Sequence, residues 1–171
     1  AEGLQELLMD DVRQRVYITN SGFNRVEVFD IRRQKFLEPI EVGQLPRSMA
    51  MSLDSGTLYV GNTGGESISV VDLDLRREIG KVEFPPIPRP GNQAVVRPQA
   101  LGMSVSGLQF IMSNGGLWRL VGNTATPRPA SSIISPNSTT TTLATPAQYS
   151  FASTPGGEYL VALAGNGNAY L

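Results

Sequence analysis

Neither cysteine nor histidine occurs anywhere in this chain of 171 residues. Without cysteine there are no disulfides, no thiolate metal sites and no thiol nucleophile, and the redox compartment stays open because either setting tolerates a chain without thiols. Without histidine the commonest general base near neutral pH, a frequent metal ligand and the usual activator of a serine nucleophile are all missing. A Ser-His-Asp triad cannot be assembled from these residues. Charge of one sign is not in excess either: 14 Lys and Arg stand against 15 Asp and Glu, and no basic run is longer than a pair. That excludes the electrostatic footprint of a nucleic-acid binder, and no nucleic-acid partner is expected. No apolar stretch approaches the ~18 residues that cross a bilayer as a helix, so no membrane insertion is expected. The opening "AEGLQELLMDD" has neither the basic start nor the apolar middle of a signal peptide; in an exported protein the signal is expected to have been removed already.

What the sequence does contain is a repeat. "YITNSGFNRVEVFDI" begins at Tyr17 and "YVGNTGGESISVVDL" at Tyr59, 42 positions later. At that offset Asn20 meets Asn62, Gly22 meets Gly64, Val26 meets Ile68, Val28 meets Val70 and Asp30 meets Asp72 without a gap. Periods of about 40 to 50 residues belong to propellers and helical solenoids, and hydrophobic periodicity chooses between them. Here the period is two: Val26 and Val28 alternate with Arg25 and Glu27, and Ile68 and Val70 alternate with Ser67 and Ser69. Such alternation marks strands in a stacked sheet.

Each unit resolves into four short strands. In the second unit they read "SMAMS", "TLYVGN", "SISVVDL" and "REIGKVEF", separated by Gly- and Asp-containing turns. The sequence therefore predicts an all-β chain, a β-propeller of four-stranded antiparallel blades with about three and a half blades present. Blade 1 spans about 4–42, blade 2 about 46–84, blade 3 about 98–135, and an incomplete blade 4 about 147–171. A blade cannot bury both faces alone, so these blades are expected to be part of a larger propeller of about six to eight. Self-association, two copies completing one ring, is the competing expectation.

The tetrapeptides "YITN" (Tyr17 to Asn20) and "YVGN" (Tyr59 to Asn62) each lead through an alternating strand to a segment ending in "IEVG" or "VEFP". In these features the chain resembles the YVTN-type β-propeller repeat of bacterial and archaeal surface and extracytoplasmic proteins. The later units carry worn forms, "FIMSN" and "YLVALAGN". The resemblance implies a fold and an extracytoplasmic location, periplasmic, secreted or cell-surface, rather than one activity, because propellers host binding, lactone chemistry and redox cofactors alike. Haem-binding and lactonase-like relatives commonly lean on His, which this chain lacks. That departure lowers both enzymatic readings.

Individual residues have structural readings first. Asn20 and Asn62 end the second strand of their units and enter Gly-containing turns, where an Asn side chain hydrogen-bonds its local backbone. Asp30 and Asp72 close the third strand and are expected in Asx-type turns. A repeated residue serves the fold, whereas a catalytic residue is needed once. "SNGGL", with Asn114 followed by Gly115, is a hairpin signal between two apolar strands. Trp118 is expected to pack between blades, a stacking platform beside Arg119 being the alternative. The carboxylates read as solvated turn residues, no Asp-x-Asp-x-Asp-Gly calcium loop is present, and no metal, cofactor or catalytic residue is assigned.

Two long joins set the binding expectation. "PPIPRPGNQAVVRPQ" leads into the third unit and carries Arg89 and Arg97, and "SPNSTTTTLATPAQ" leads into the fourth and contains a glycosylation-type sequon at Asn137. Both would crowd the rim that holds Asn20, Asn62 and Asn114, and insertions gathered on one face often mark a binding face. The favoured function is a noncatalytic scaffold or recognition module that binds a protein or surface ligand on this loop-rich face. The alternative is part of a propeller enzyme, of lactone-hydrolase or redox type, whose catalytic residues lie outside this chain.

Overall fold

A computed structural model describes residues 3–87, 95–128, 149–154, 156–164 and 169–170. These residues form four antiparallel sheets and no helix. The first sheet contains β1 (Leu4–Asp10), β2 (Arg15–Asn20), β3 (Arg25–Asp30) and an outer strand split into β4 (Lys35–Phe36) and β5 (Ile40–Glu41). The second runs β6 (Pro46–Met51), β7 (Thr57–Asn62), β8 (Ser67–Asp72) and β9 (Arg77–Lys81). The third runs β10 (Pro98–Ser104), β11 (Gly107–Met112), β12 (Leu117–Val121) and β13 (Thr124–Pro127), and the fourth β14 (Tyr149–Ser153), β15 (Leu160–Ala164) and β16 (Ala169–Tyr170). Each sheet is a meander in chain order, and the inner strands β1, β6, β10 and β14 lie against one another in succession around a common axis. The architecture is a β-propeller.

The 42-residue offset holds down to strand register: Arg15 pairs with Asp30 and Thr57 with Asp72, while Asn20 pairs with Arg25 and Asn62 with Ser67. Turn chemistry fixes this. Asp10, Asp30 and Asp72 accept a backbone N–H three residues on, from Arg13, Arg33 and Leu75, at 3.0, 2.8 and 2.8 Å. Each turn then closes through a left-handed residue, Gln14, Gln34 or Arg76, with φ of 53°, 51° and 52°. These are the Asx-type turns expected for Asp30 and Asp72, with Asp10 a third. The outer strand of the first sheet departs from expectation because Pro39 has no N–H to donate: the Leu37 N–H still bonds the Val28 carbonyl at 2.8 Å, and strand pairing resumes at Ile40.

The faces between sheets carry the core. Tyr17, Val26, Val28 and Ile40 of the first sheet meet Met49, Leu58, Val60 and Val71 of the second. Ile68 and Ala50 of the second meet Leu101, Phe110, Met112 and Trp118 of the third. Trp118 packs between blades, with Phe84 and Phe110 ring centroids 6.0 and 6.5 Å away. Close approach near the axis needs glycine twice. A Cβ on Gly61 would stand 2.8 Å from Leu101 Cδ1, and one on Gly102 would stand 2.7 Å from both Leu160 Cδ1 and the Phe151 side chain.

Candidate functional site at the axial mouth

Register places Glu6, Ser48, Ala100 and Ser150 at one level on successive inner strands. Ser48 lies 42 positions after Glu6. Ser48 pairs with Gly61 just past the irregularity at Pro46, as Ala100 pairs with Ile111 just past the one at Pro98. Ser150 precedes Thr154 as Ser48 precedes Ser52, and Thr154 and Ser52 make the same turn-closing bond, donating to Tyr159 and Thr57 carbonyls. Three of the four positions hold a small residue, and the first blade puts a carboxylate there.

This level lines a polar hollow of about 230 Å³ bordered by Gln5, Glu6, Arg47, Ser48, Gln99 and Ser150. It opens on the face where each inner strand begins. A second hollow of about 400 Å³ lies further along the same strands, where Met9, Met49, Met51 and Met103 stand among polar groups of Glu6, Ser52, Ser153 and Thr154. Glu6, Leu101 and Phe151 border both. The axial space thus has a polar mouth and a thioether-rich interior.

The Glu6 carboxylate is tied by the Met49 backbone N–H, which donates to Oε2 at 2.5 Å, while the Glu6 N–H donates to Thr19 Oγ1 at 3.0 Å. Burial pushes its carboxyl up to about 7, against the opposing pull of the Met49 amide. A group poised there exchanges a proton near neutrality and accepts a cation at little cost. Beside it the Ser48 hydroxyl is 6% exposed and its Oγ lacks a hydrogen-bond partner. Buried polar atoms are normally paired; this one is shielded from solvent and stands where a Cβ on Gly61 would come within 2.7 Å, so it offers the mouth no surface. Arg47, half-buried on the same border, supplies the opposite charge.

The residues singled out from sequence are placed differently from one another. Asn114 is exposed in its hairpin turn, its Oδ1 accepting the Gly116 N–H at 3.0 Å, and the Arg97 N–H donates to the neighbouring Ser113 Oγ at 3.0 Å. These two share the rim. Asn20 is 9% exposed and donates from Nδ2 to Glu27 Oε1 at 2.8 Å. Asn62 is fully buried and donates to Ser67 and Ser69 hydroxyls at 3.1 and 2.9 Å. The two repeated asparagines therefore bond side chains of the adjacent strand rather than their local backbone, and Asn62 offers the rim no surface. Arg89 and Asn137 lie outside the described residues. Glu6, Arg47 and Ser48 were not singled out from sequence, although the signal was there: at the 42-residue offset Glu6 faces Ser48, a singular charge inside a repeat.

Among the described residues no group of three or more Asp or Glu could hold a metal ion, and no helix is long and apolar enough to cross a membrane. No protein-family model matches the chain, and no curated protein matches it. Solved structures of other propeller proteins do. Hydrazine synthase from Kuenenia stuttgartiensis is 21% identical with a TM-score of 0.70, the match covering 95% of this chain and 42% of that one. Dihydro-heme d1 dehydrogenase NirN, in complex with DHE, is 15% identical with a TM-score of 0.63 over 96% of this chain and 33% of that one. The chain thus spans less than half the length of either, and the likeness is one of fold.

Proposed function

We propose that these blades form a noncatalytic recognition module that binds a protein or surface ligand on the face of the axial mouth. The observation that carries this reading is the placing of Glu6, singular among the repeats, together with Arg47 on the border of one polar hollow. Glu6 receives a cationic or N–H group and Arg47 an anionic one; Arg97 and Asn114 widen the contact at the rim. The partner is best sought outside the cytoplasm, in keeping with the resemblance to YVTN-type repeats. A Glu6→Gln, Arg47→Ala double variant should keep its far-UV circular dichroism and lose capture of the partner that the wild-type chain retains from a cell-envelope extract. Equal capture by the folded double variant would contradict the role of the mouth.

A second reading has one observation in its favour: the two similar structures named above carry enzyme names, a synthase and a dehydrogenase. On this reading the blades support a redox reaction centre built by residues beyond these. It predicts that the double variant binds partners normally while lowering turnover of the enzyme that contains these blades.

A further inference from the structure

Four of the five methionines of the chain, Met9, Met49, Met51 and Met103, border the interior hollow of about 400 Å³. The repeat brings three of them to one level. Met9 pairs with Val16, Met51 with Leu58 and Met103 with Leu108, equivalent rungs of β1, β6 and β10. The fifth, Met112, is a packing residue by contrast, 1% exposed in the core between the second and third sheets. A flexible thioether fills gaps in any core. Met51 and Met103, however, are only half-buried and Met9 is 39% exposed, so these side chains edge open space rather than fill it.

Met49 and Met51 lie two positions apart on β6 and therefore on one face of the strand, and both pack on the side of the first sheet. Glu6 comes from that sheet. Its Oε2 accepts the Met49 N–H at 2.5 Å, which sets the carboxylate on the same stretch of β6 as the two thioethers. Among the described residues Glu6 is the one carboxylate on the border of this hollow. The donor set is thus neutral, polarisable sulfur with a single anionic oxygen. Thioethers select soft cations, copper(I) foremost, whereas magnesium, calcium and manganese want oxygen ligands throughout. One carboxylate among thioethers makes no hard-cation site, and its charge balances a monovalent ion. A thioether also needs no deprotonation to bind, unlike a thiol or an imidazolium.

We propose that Met49, Met51 and the Glu6 carboxylate hold a copper(I) ion in the interior hollow, with Met9 and Met103 on the flanking strands of the same space. The site is separate from partner recognition at the mouth and does not rest on it.

Anaerobic titration of the full chain with copper(I), in competition with the chromophoric chelator bicinchoninate, tests this. Wild type should withdraw one equivalent of copper(I) from the chelator. A Met49→Leu, Met51→Leu double variant, a swap that conserves volume, should keep its circular dichroism and lose that capture, while Met112→Leu should capture as wild type does. Silver(I), a redox-silent stand-in, should shift the Met49 and Met51 methyl resonances of wild type labelled at the methionine methyls and leave that of Met112 in place, a readout that needs no variant to fold. Wild type that withdraws no copper(I) overturns the proposal. So does a double variant that withdraws as much as wild type, an equal loss in Met112→Leu, or a silver shift confined to other methionines. Glu6 stays unaltered throughout, so failure here is distinct from failure of partner capture at the mouth.

Discussion

The Glu6 carboxyl links pH to stability through its burial. Its ordinary value near 4.5 holds in the unfolded chain, and in the folded one it is pushed up to about 7. Between those two values the folded state binds more protons than the unfolded state, so stability falls as pH rises through the window. Arg47 borders the same hollow, and the Met49 N–H bonds the carboxylate directly. Urea melts of the wild type from pH 4.5 to 8 should show this loss, and Glu6→Gln should flatten it, gaining up to about 3 kcal/mol at pH 8. Parallel curves for the two proteins would place the carboxyl in water. Val28 has no exposed surface, so Val28→Asp should cost more than about 4 kcal/mol and leave no cooperative thermal transition. Arg97→Ala, at an exposed rim position, should stay within about ±0.5 kcal/mol. At this scale the sequence displayed type and repetition but not direction. Asp30 was readable because its turn is local, whereas Asn62 turns into the blade because Gly43, from the preceding join, leaves the space that its side chain fills.

Strands and turns were more legible, because their determinants are short in range. Alternation at Val26 and Val28 located β3, and the Asn-Gly pair located the hairpin between β11 and β12, where Gly115 takes φ 81°. Alternation was less informative for β8. There Ile68 and Val71 are buried on opposite faces and even Ser69 is fully buried, since the second sheet is covered on both sides. Val70, which meets Val28 at the 42-residue offset, is only half-buried. Turn carboxylates are the element-scale prediction: Asp30→Ala and Asp72→Ala should each lower stability by about 1 kcal/mol, the worth of the lost hydrogen bonds, measured by urea melts at pH 7. Gly102→Val tests the packing of strand on strand. Its added carbons have no room beside Phe151 and Leu160, and overpacking of this sort costs about 1–3 kcal/mol. A Val variant as stable as wild type would mean that β10 and β14 do not approach closely.

Across the whole molecule, large apolar side chains on one face of the second and third sheets are covered by the previous sheet, and small ones near the axis, Ala50 and Gly102, let the next sheet approach, whereas the first sheet turns Glu6 and Leu8 toward its neighbour. The 42-residue offset announced the first two blades. The third has lost it, since Pro98 follows Pro46 by 52 positions, and only shared turn and proline placements reveal it. The axial mouth was illegible for a simpler reason. Its border is assembled from two or three residues of each of four inner strands, and nothing local in the sequence says which will share a level. Arg13 shows the same logic on the opposite end of the blades, bonding Asp10 of its own turn, Asp74 of the next blade at 2.5 Å and the Ser55 carbonyl at 2.6 Å. Nuclear Overhauser contacts in a methyl-labelled sample test the stacking most directly. Leu101 methyl to Gly61 Hα and Leu160 methyl to Gly102 Hα cross-peaks are expected alongside those within each sheet; intact sheets without either inter-sheet pair would contradict the propeller.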